Sequence, residues 1–542
     1  MTTSRVGALL VAATLATTLP ANAQMSSEQQ SLNELRNTVI NLLQTLVDQK
    51  VMTQEQAATL VKQAQTRAAE QQATADKRDD GAIRVPYVPQ IVKDEISHQV
   101  AAQVTPQVVR DVVSTAKAER WGVPGALPEW MSRLQPIGDL RVRFEENLFG
   151  HNNQAFTVPD YNAINAAGGI TQAGLNAFIN TTNDTERLRI RARFGVRSDF
   201  LDSWSAAIRL STGSLLDPAS ESQTLGSNAA RYTVGIDQAY IRYSPRDPND
   251  KPVVTVTAGR MPSPWFTPTE LMFARDLSFE GITETTRLHL GANSVGQMSH
   301  VFATLGAFPM QVVPLYHQGN KWLLAGQLGI DQWVGSNDRL QVAAAYYDFS
   351  HISGILNQPG LSLTNFSAPP FIRYGNSYFD IANSLTASNN LFALASKFQV
   401  ANVALSYQHR FDRYQLGFTA DGAKNIGFDT KDVFNRTGLT EAARNIGYVG
   451  ELSFGDADPT ISRGLWRASL GYRYVQRDAV LDAWTDTDFH GGGTNARGVF
   501  LVGDLGLAPG VWLRVRYMNA DTIDGPAPFS LDTLHIDLNA KF

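Results

Sequence analysis

The chain has 542 residues, of which 43% are hydrophobic and 18% are charged, and its formal net charge is −5. This charge is too close to neutral for a general nucleic-acid binder. Cysteine is absent, which excludes a disulfide framework and thiolate metal sites. The basic residues are 35 arginines and 11 lysines, and the planar arginine group is suited to holding carboxylates or phosphates through two hydrogen bonds.

Residues 1–23 have the pattern of a secretory signal peptide. Arg5 precedes an apolar stretch, and the small-residue ending Ala21-Asn22-Ala23 predicts cleavage before Gln24. An uncleaved membrane anchor is the alternative interpretation. Farther along there is no apolar run of about 18 to 20 residues, so the sequence predicts no transmembrane helix. A soluble periplasmic protein and an outer-membrane β-barrel both remain compatible with this pattern.

Two segments with helical patterns follow the predicted signal peptide. In residues 24–78, leucine and valine recur at alternating spacings of three and four from Leu32 to Leu46, which predicts a helical or coiled-coil segment. An intramolecular hairpin and an oligomeric coiled coil fit this pattern equally well. Residues 79–137 form a connector with helical and proline-rich stretches, which we expect to lie in the periplasm.

From Gly138 to Phe542 the hydrophobic period becomes two, which predicts β-strands. We count about sixteen strands: 139–147, 185–197, 203–213, 234–244, 252–260, 278–290, 296–307, 321–333, 338–349, 396–408, 413–421, 444–456, 464–477, 496–506, 510–519 and 530–542. Connections after odd-numbered strands are generally long and those after even-numbered strands are short. Outer-membrane barrels sort their loops and turns in this way, so an antiparallel transmembrane β-barrel of about sixteen strands is predicted.

The segment "ERLRIRARFGVRSD" (186–199) alternates apolar residues with arginines. In a barrel the apolar face meets lipid and the arginine face meets a water-filled lumen, because an arginine facing lipid costs about 2–4 kcal/mol near the membrane midplane. Arginines of neighbouring strands extend the same face. The pore-lining candidates are Arg141, Arg143, Arg187, Arg189, Arg191, Arg193, Arg197, Arg209 and Arg242. We call the five members between 187 and 197 the arginine ladder.

The last strand, "LDTLHIDLNAKF" (531–542), alternates in the same way and ends on an aromatic residue. This is the form in which outer-membrane proteins present their final strand to the barrel-assembly machinery. Phe542 is therefore a candidate assembly signal. A half-buried strand that ends a soluble protein is the alternative.

Three stretches resemble a known family: "RVPYVPQIVK" (84–93), "WGVPGALPEWMSRL" (121–134) leading into "GDLRVRFEEN" (138–147), and "GRMPSPWFTPTELMFARDLSFEGI" (259–282). They are similar to the putative porin family of Gram-negative bacteria, in which an N-terminal helical segment precedes a barrel. The resemblance implies an outer-membrane β-barrel that carries out passive transport. It does not supply a solute.

Sixteen strands leave an aqueous channel rather than a filled core. The arginine face favours a weak preference for anions such as carboxylates or phosphates. The alternative is that these arginines pair with carboxylates and serve barrel packing. By analogy with general porins, the loop at 261–277 folds inward and narrows the pore, or else it lies over the rim. The loop carries the constriction candidates Glu270, Arg275 and Asp276, and a fourth candidate, Glu280, lies just beyond it.

The sequence therefore predicts a porin for small hydrophilic solutes, with no cofactor and no metal. We expect outer-membrane lipid and the barrel-assembly machinery as partners, a homotrimer by analogy with other porins, and no nucleic acid. A surface receptor or adhesin on a plugged barrel is an alternative. An outer-membrane enzyme is a further one, although no catalytic motif is found and only His289 and His300 are predicted to lie near each other.

Overall fold

The computed structural model describes residues 133–542, except 247–251, 315–318 and 385–388, together with Thr59, Lys62 and Thr66. The chain divides into two units, residues 1–109 and 110–542. In the first unit the three described residues are helical, and the Thr66 hydroxyl donates to the Lys62 carbonyl at 2.8 Å. The predicted signal peptide, most of the predicted helical segment and the connector up to residue 132 lie outside the described residues.

The second unit is a closed antiparallel barrel of sixteen strands, which confirms the predicted fold and strand number. The barrel strands are β1 (Leu134–Phe149), β2 (Thr185–Leu201), β3 (Trp204–Thr212), β5 (Val234–Tyr243), β6 (Val254–Pro262), β7 (Ser278–Ala292), β8 (Met298–Gln311), β9 (Lys321–Val334), β10 (Asp338–Ser350), β13 (Phe398–Phe411), β14 (Tyr414–Asn425), β15 (Ile446–Asp456), β16 (Trp466–Val475), β17 (Ala496–Ala508), β18 (Val511–Thr522) and β19 (Ser530–Lys541). The short β4 (Gln223–Thr224) adds to β2, and β11 (Tyr378–Asp380) pairs with β12 (Phe392–Leu394) inside a loop.

In the described part of this unit, helices are confined to the long connections. They are α1 (Tyr161–Ala167), α2 (Ile170–Ala173) and α3 (Thr430–Thr437), with single 3₁₀ turns at 174–177, 365–367 and 489–491. Asp160 caps α1 by accepting from the Ala163 amide at 2.9 Å, and Asp429 caps α3 in the same way. Among the described residues, no helix is long and apolar enough to cross a membrane.

Long and short connections lie at opposite ends of the barrel. Those after β2, β7, β9, β13 and β17 contain five residues or fewer, whereas the connections 150–184 and 351–397 are the longest. Residues 134 and 541 lie at the end with the short turns, because β1 begins there and β19 ends there. We call this the turn end and the opposite one the loop end.

Side chains alternate between the outer and inner faces as predicted. On β2, Leu188 and Phe194 face outward and are more than half exposed. On β19, Ile536 faces outward, whereas Thr533 and His535 are buried inside. Closure pairs every barrel strand with two neighbours. The backbone N–H and C=O groups therefore bond to each other, as they must in membrane hydrocarbon, which offers no hydrogen-bond partners.

Phe542 completes the closure at the turn end. Its backbone amide donates to the Gly138 carbonyl at 3.1 Å, and its carbonyl accepts from the Gly138 amide at 3.0 Å. The aromatic ring covers Gly138, where any Cβ would lie only 2.6 Å from a ring carbon. The terminal residue therefore seals the junction between β1 and β19.

Candidate functional site in the barrel lumen

The ladder arginines on β2 point into the lumen, where β1 opposes them with further arginines. In the strand register, Arg141 is directly opposite Arg191 and Arg143 is opposite Arg189. Like charges in such positions are destabilising. The same lumen must therefore supply carboxylates.

Two carboxylates of β1 neutralise much of the ladder. Glu145 accepts hydrogen bonds from Arg187 and, at 2.9 Å, from Arg189. Asp139 lies 2.9 Å and 2.7 Å from the next two arginines of the ladder. Four of the five ladder arginines are thus tied into an ion-pair network across β1 and β2, as in the alternative that the sequence left open.

The connection 263–277 crosses the lumen. Near its end, Asp276 lies 2.8 Å from Arg191 of β2. At its middle, the Thr269 hydroxyl donates to Asp421 of β14 at 2.7 Å. Because β2 and β14 are seven strands apart by the shorter way round a ring of sixteen, the loop spans from one wall to the other. We call it the crossing loop.

Apolar residues explain this inward path. Leu271, Met272 and Phe273 of the crossing loop are almost fully buried. The Phe273 ring lies 5.0 Å from that of Phe279 on β7 and 5.1 Å from that of Tyr347 on β10, both edge to face. Because exposing apolar side chains to water is unfavourable, the loop packs them against the aromatic wall of β7 to β10.

A second connection, 476–495, also folds inward and binds the crossing loop. The Ala274 amide donates to the Trp484 carbonyl at 2.7 Å. Asp486 lies 3.0 Å from Arg516 of β18, and Asp488 lies 2.9 Å from Arg143. This connection, which we call the second loop, therefore links the crossing loop to the arginines of β1 and β18.

A third connection, 351–397, packs on the second. The Tyr378 hydroxyl donates to Asp482 at 2.8 Å, and the Ser377 hydroxyl donates to Asp478 at 2.6 Å. Burial raises the pKa of both aspartates to about 6. Three connections thus fill part of the lumen toward the loop end.

The loop carboxylates facing the lumen have different protonation behaviour. Although burial opposes it, the charges of Arg191 and Arg193 hold the pKa of Asp276 below its usual value. Burial and the nearby charge of Asp276 raise the pKa of Glu221 to about 8. Burial and Asp486 also raise the pKa of Glu270. The lumen therefore holds both fixed charges and groups that exchange protons near neutral pH.

Next to the crossing loop lies a polar cavity of about 590 Å³. Nine arginines and seven carboxylates line it, a difference of two positive charges. The wall of β10, β13 and β14 contributes only uncharged residues: Gln341, Ser406, Gln408, Gln415, Gly417 and Thr419. The cavity therefore has one charged wall and one uncharged polar wall.

Among the predicted candidates, the cavity brings together Arg141, Arg143, Arg191 and Arg193 with Glu270, Arg275 and Asp276. Arg141 donates to the Ser222 hydroxyl at 2.5 Å, and within the described residues no carboxylate forms an ion pair with it. The Arg275 side chain is 61% exposed, and its nearest carboxylate oxygen, on Glu270, is 3.8 Å away. These two guanidinium groups are the least compensated of the predicted set in the cavity.

Other candidates lie elsewhere. Arg197 pairs with Asp199, where both side chains are more than 40% exposed, and Arg209 pairs with Asp237. Glu280 lies in β7, just beyond the crossing loop as predicted, and pairs there with Arg260 across the strand register. The loop itself is two residues shorter than predicted because β6 continues to Pro262.

The cavity also contains charged residues that the sequence did not single out as site residues. On the strands these are Arg467, Arg473, Arg514 and Arg516, and on the second loop they are Asp486 and Asp488. The strands "RASLGYRYVQR" and "VWLRVRYMN" alternate as β2 does, which is the signal that predicts their arginines to face inward. No comparable period marks the aspartates, because loop residues have no repeating orientation.

Comparison with known proteins places this architecture in a family. The sequence model of a family described as "Putative porin" matches residues 36–542. A search of curated proteins finds no match. Within the described residues, no group of three or more histidine, aspartate or glutamate side chains is placed to hold a metal ion.

Solved structures similar to this chain include proteins from three organisms. Pseudomonas putida OprB has a TM-score of 0.43 at 10% identity, with 78% of this chain and 97% of that chain covered. The channel DcaP of Acinetobacter baumannii has a TM-score of 0.38 at 11% identity, covering 76% and 97%. Vibrio cholerae OmpT has a TM-score of 0.37 at 10% identity, covering 76% and 99%.

These structural likenesses are distant, whereas the family model covers nearly the whole chain. The match begins before the barrel and ends at Phe542. Together with the closed sixteen-strand barrel and its polar lumen, it supports an outer-membrane channel. The chain belongs to the putative porin family.

Proposed function

We propose that the barrel is a water-filled channel through which small hydrophilic solutes diffuse passively, with a weak preference for anions. The observation that carries this proposal is the cavity lining, in which nine arginines outnumber seven carboxylates. A solute in this cavity meets a positive potential, because low-dielectric walls concentrate the field of the excess charges. Most of the arginines are paired, so the preference is modest.

Arg141 and Arg275 supply most of this preference. Ion pairs within the protein offset the charges of their neighbours, whereas these two guanidinium groups keep donors available for a passing anion. Neutral amides and hydroxyls on the opposite wall provide hydrogen bonds for the rest of a solute.

For the topology, we propose that the turn end faces the periplasm and the loop end faces the outside. The start of β1 and the end of β19 both lie at the turn end. In this orientation the helical segment predicted at 24–78 would be periplasmic. There it can support a homotrimer, anchor the barrel or gate its mouth. The exposed terminal Phe542 fits recognition by the barrel-assembly machinery before closure.

The test is a single-channel recording in planar bilayers under a KCl gradient. We expect steady conductance with a reversal potential toward the anion side. Arg141→Gln should move the reversal potential toward zero, whereas Arg197→Gln, which loses the same charge from an exposed pair, should change it less. A cation-directed potential for the unaltered protein would contradict the anion preference.

A surface receptor on a plugged barrel is the second candidate, because three inward connections form an apolar core inside the lumen. Trp484 of the second loop packs against Phe349 on the barrel wall at 5.7 Å. Correctly folded barrels that never conduct would favour this function over the channel.

A further inference from the structure

The wall of β5 to β7 carries an arginine pair that lies outside the cavity described above. Arg242 of β5 and Arg287 of β7 both face the lumen, since their neighbours Ile241 and Leu288 are exposed on the outer face. The two arginines lie on either side of β6, where their hydroxyl partners, Thr257 and Thr255, are two residues apart on the same face. Arg287 was not among the residues singled out from the sequence.

Hydroxyl groups of β6 hold both arginines. Arg242 donates to the Thr257 hydroxyl at 3.3 Å, and Arg287 donates to the Thr255 hydroxyl at 3.5 Å. The Arg242 guanidinium also lies over the Tyr240 ring, 5.2 Å from its centre. These contacts fix the positions of the two cations without neutralising either charge.

Within the described residues, no carboxylate forms an ion pair with Arg242 or Arg287. Many lumenal arginines elsewhere do have such a partner: Arg143, Arg189, Arg191, Arg193, Arg209, Arg339, Arg514 and Arg516. Two like charges held side by side raise the energy of the folded protein unless an anion lies between them. Among the described residues the two charges therefore lack an anionic partner, and an anionic ligand would relieve their repulsion.

The nearest histidines extend the same surface. His289 on β7 and His300 on β8 are register partners, with ring centres 6.0 Å apart. Both ring nitrogens of His289 are buried and have no hydrogen-bond partner among the described residues. Asp331, the register partner of His300 on β9, is bound by Arg339 at 2.6 Å.

From these contacts we propose that Arg242 and Arg287 form a binding site for an oxoanion, either inorganic phosphate or the phosphate group of a small solute. Two guanidinium groups provide two charges and forked donors, which match the oxygens of a phosphate better than they match chloride. Thr255 and Thr257 are placed to donate their hydroxyls to the same anion. The use of this site in transport rests on the channel function proposed above, but binding itself does not.

The test measures phosphate binding to the full chain folded in detergent, with radiolabelled inorganic phosphate as the probe. The double variant Arg242→Gln/Arg287→Gln should raise the Kd at least about tenfold, as loss of charge-assisted hydrogen bonds predicts. The control Arg410→Gln/Arg413→Gln removes the same charge at and just after the end of β13, four strands from β7, and should leave the Kd within about twofold. Heat-modifiable mobility in electrophoresis confirms that each variant has folded.

A parallel recording separates this proposal from the channel function. In KCl, added phosphate should reduce the chloride current saturably for the unaltered protein and for the control, but not for the double variant. Competition by glycerol phosphate at equal concentration would identify a phosphate-ester solute, and its absence would identify free phosphate. Equal phosphate binding by the double variant, or no binding by the unaltered protein, would overturn the site, whereas binding without conductance would overturn the channel alone.

Discussion

Asp276 of the crossing loop lies 2.8 Å from Arg191 and 3.2 Å from Arg193 of the arginine ladder. One carboxylate from a loop therefore joins two arginines that are neighbours on the same face of a strand. This contact anchors the loop across the lumen and also offsets positive charge at the cavity. The position of the loop and the charge of the cavity are thus coupled through a single side chain.

Replacing Asp276 by asparagine should increase the preference for anions. The substitution removes a negative charge beside two arginines, so the ratio of chloride to potassium permeability should rise by a few-fold in a bilayer recording. Asp199→Asn removes a charge from an exposed pair and should leave the ratio nearly unchanged. Equal ratios for both variants would show that the crossing loop does not border the path of ions.

Arg143 holds the charged wall and the second loop together. It is 4% exposed and lies 2.7 Å from Asp537 and 2.9 Å from Asp488. Arg143→Met leaves two buried carboxylates without this partner and should lower the free energy of unfolding by about 3–5 kcal/mol in urea. Arg143→Lys keeps the charge and should recover part of that loss, whereas equal losses for the two variants would argue against an electrostatic cause.

Asp478 and Asp482 should make the packing of the second loop depend on pH. Burial raises the pKa of each to about 6, above the value expected in an unfolded chain. Their stabilising contribution is therefore fully present below about pH 4 and is lost as the pH rises through about 6. We expect amide exchange in residues 476–495 to be slower at pH 5 than at pH 7.5, after correction for the intrinsic rate.

Asparagine at both positions provides the control for this pH effect. Asp478→Asn/Asp482→Asn removes the titrating groups while preserving most of the hydrogen-bond acceptors for Ser377 and Tyr378. After the same correction for the intrinsic rate, the difference in amide exchange between the two pH values should then disappear. A difference that persists in this variant would assign it to other groups, among which Glu221 is the first to test because its pKa is about 8.

Deleting Phe542 should reduce the amount of folded barrel in the outer membrane. The deletion removes two backbone hydrogen bonds to Gly138, worth about 1 kcal/mol each, and exposes the seam between β1 and β19. Phe542→Tyr keeps the ring and the backbone and should assemble normally. Heat-modifiable mobility of outer-membrane fractions measures both, and normal assembly of the deletion variant would exclude Phe542 as an assembly signal.

The barrel could be predicted from sequence because a strand in lipid has a strict period. Leu188 and Arg189 must lie on opposite faces, and shifting the register by one residue would move the ladder into hydrocarbon. The same constraint applies to the strands of Arg514 and Arg516. The sixteen strands and the alternation of long and short connections could therefore be predicted without a structure.

The connections follow no such rule, and only the tertiary structure decided their course. The crossing loop enters the lumen because Leu271 and Phe273 find an aromatic wall built from β7 and β10, which lie far apart in sequence. For the same reason, the partners of the arginines could not be assigned from the sequence. By itself the sequence determined which face each arginine occupies, because that depends only on the strand period and the surrounding lipid. The folded loops decided which arginines keep a free charge, because that depends on carboxylates from distant parts of the chain, such as Asp488 beside Arg143.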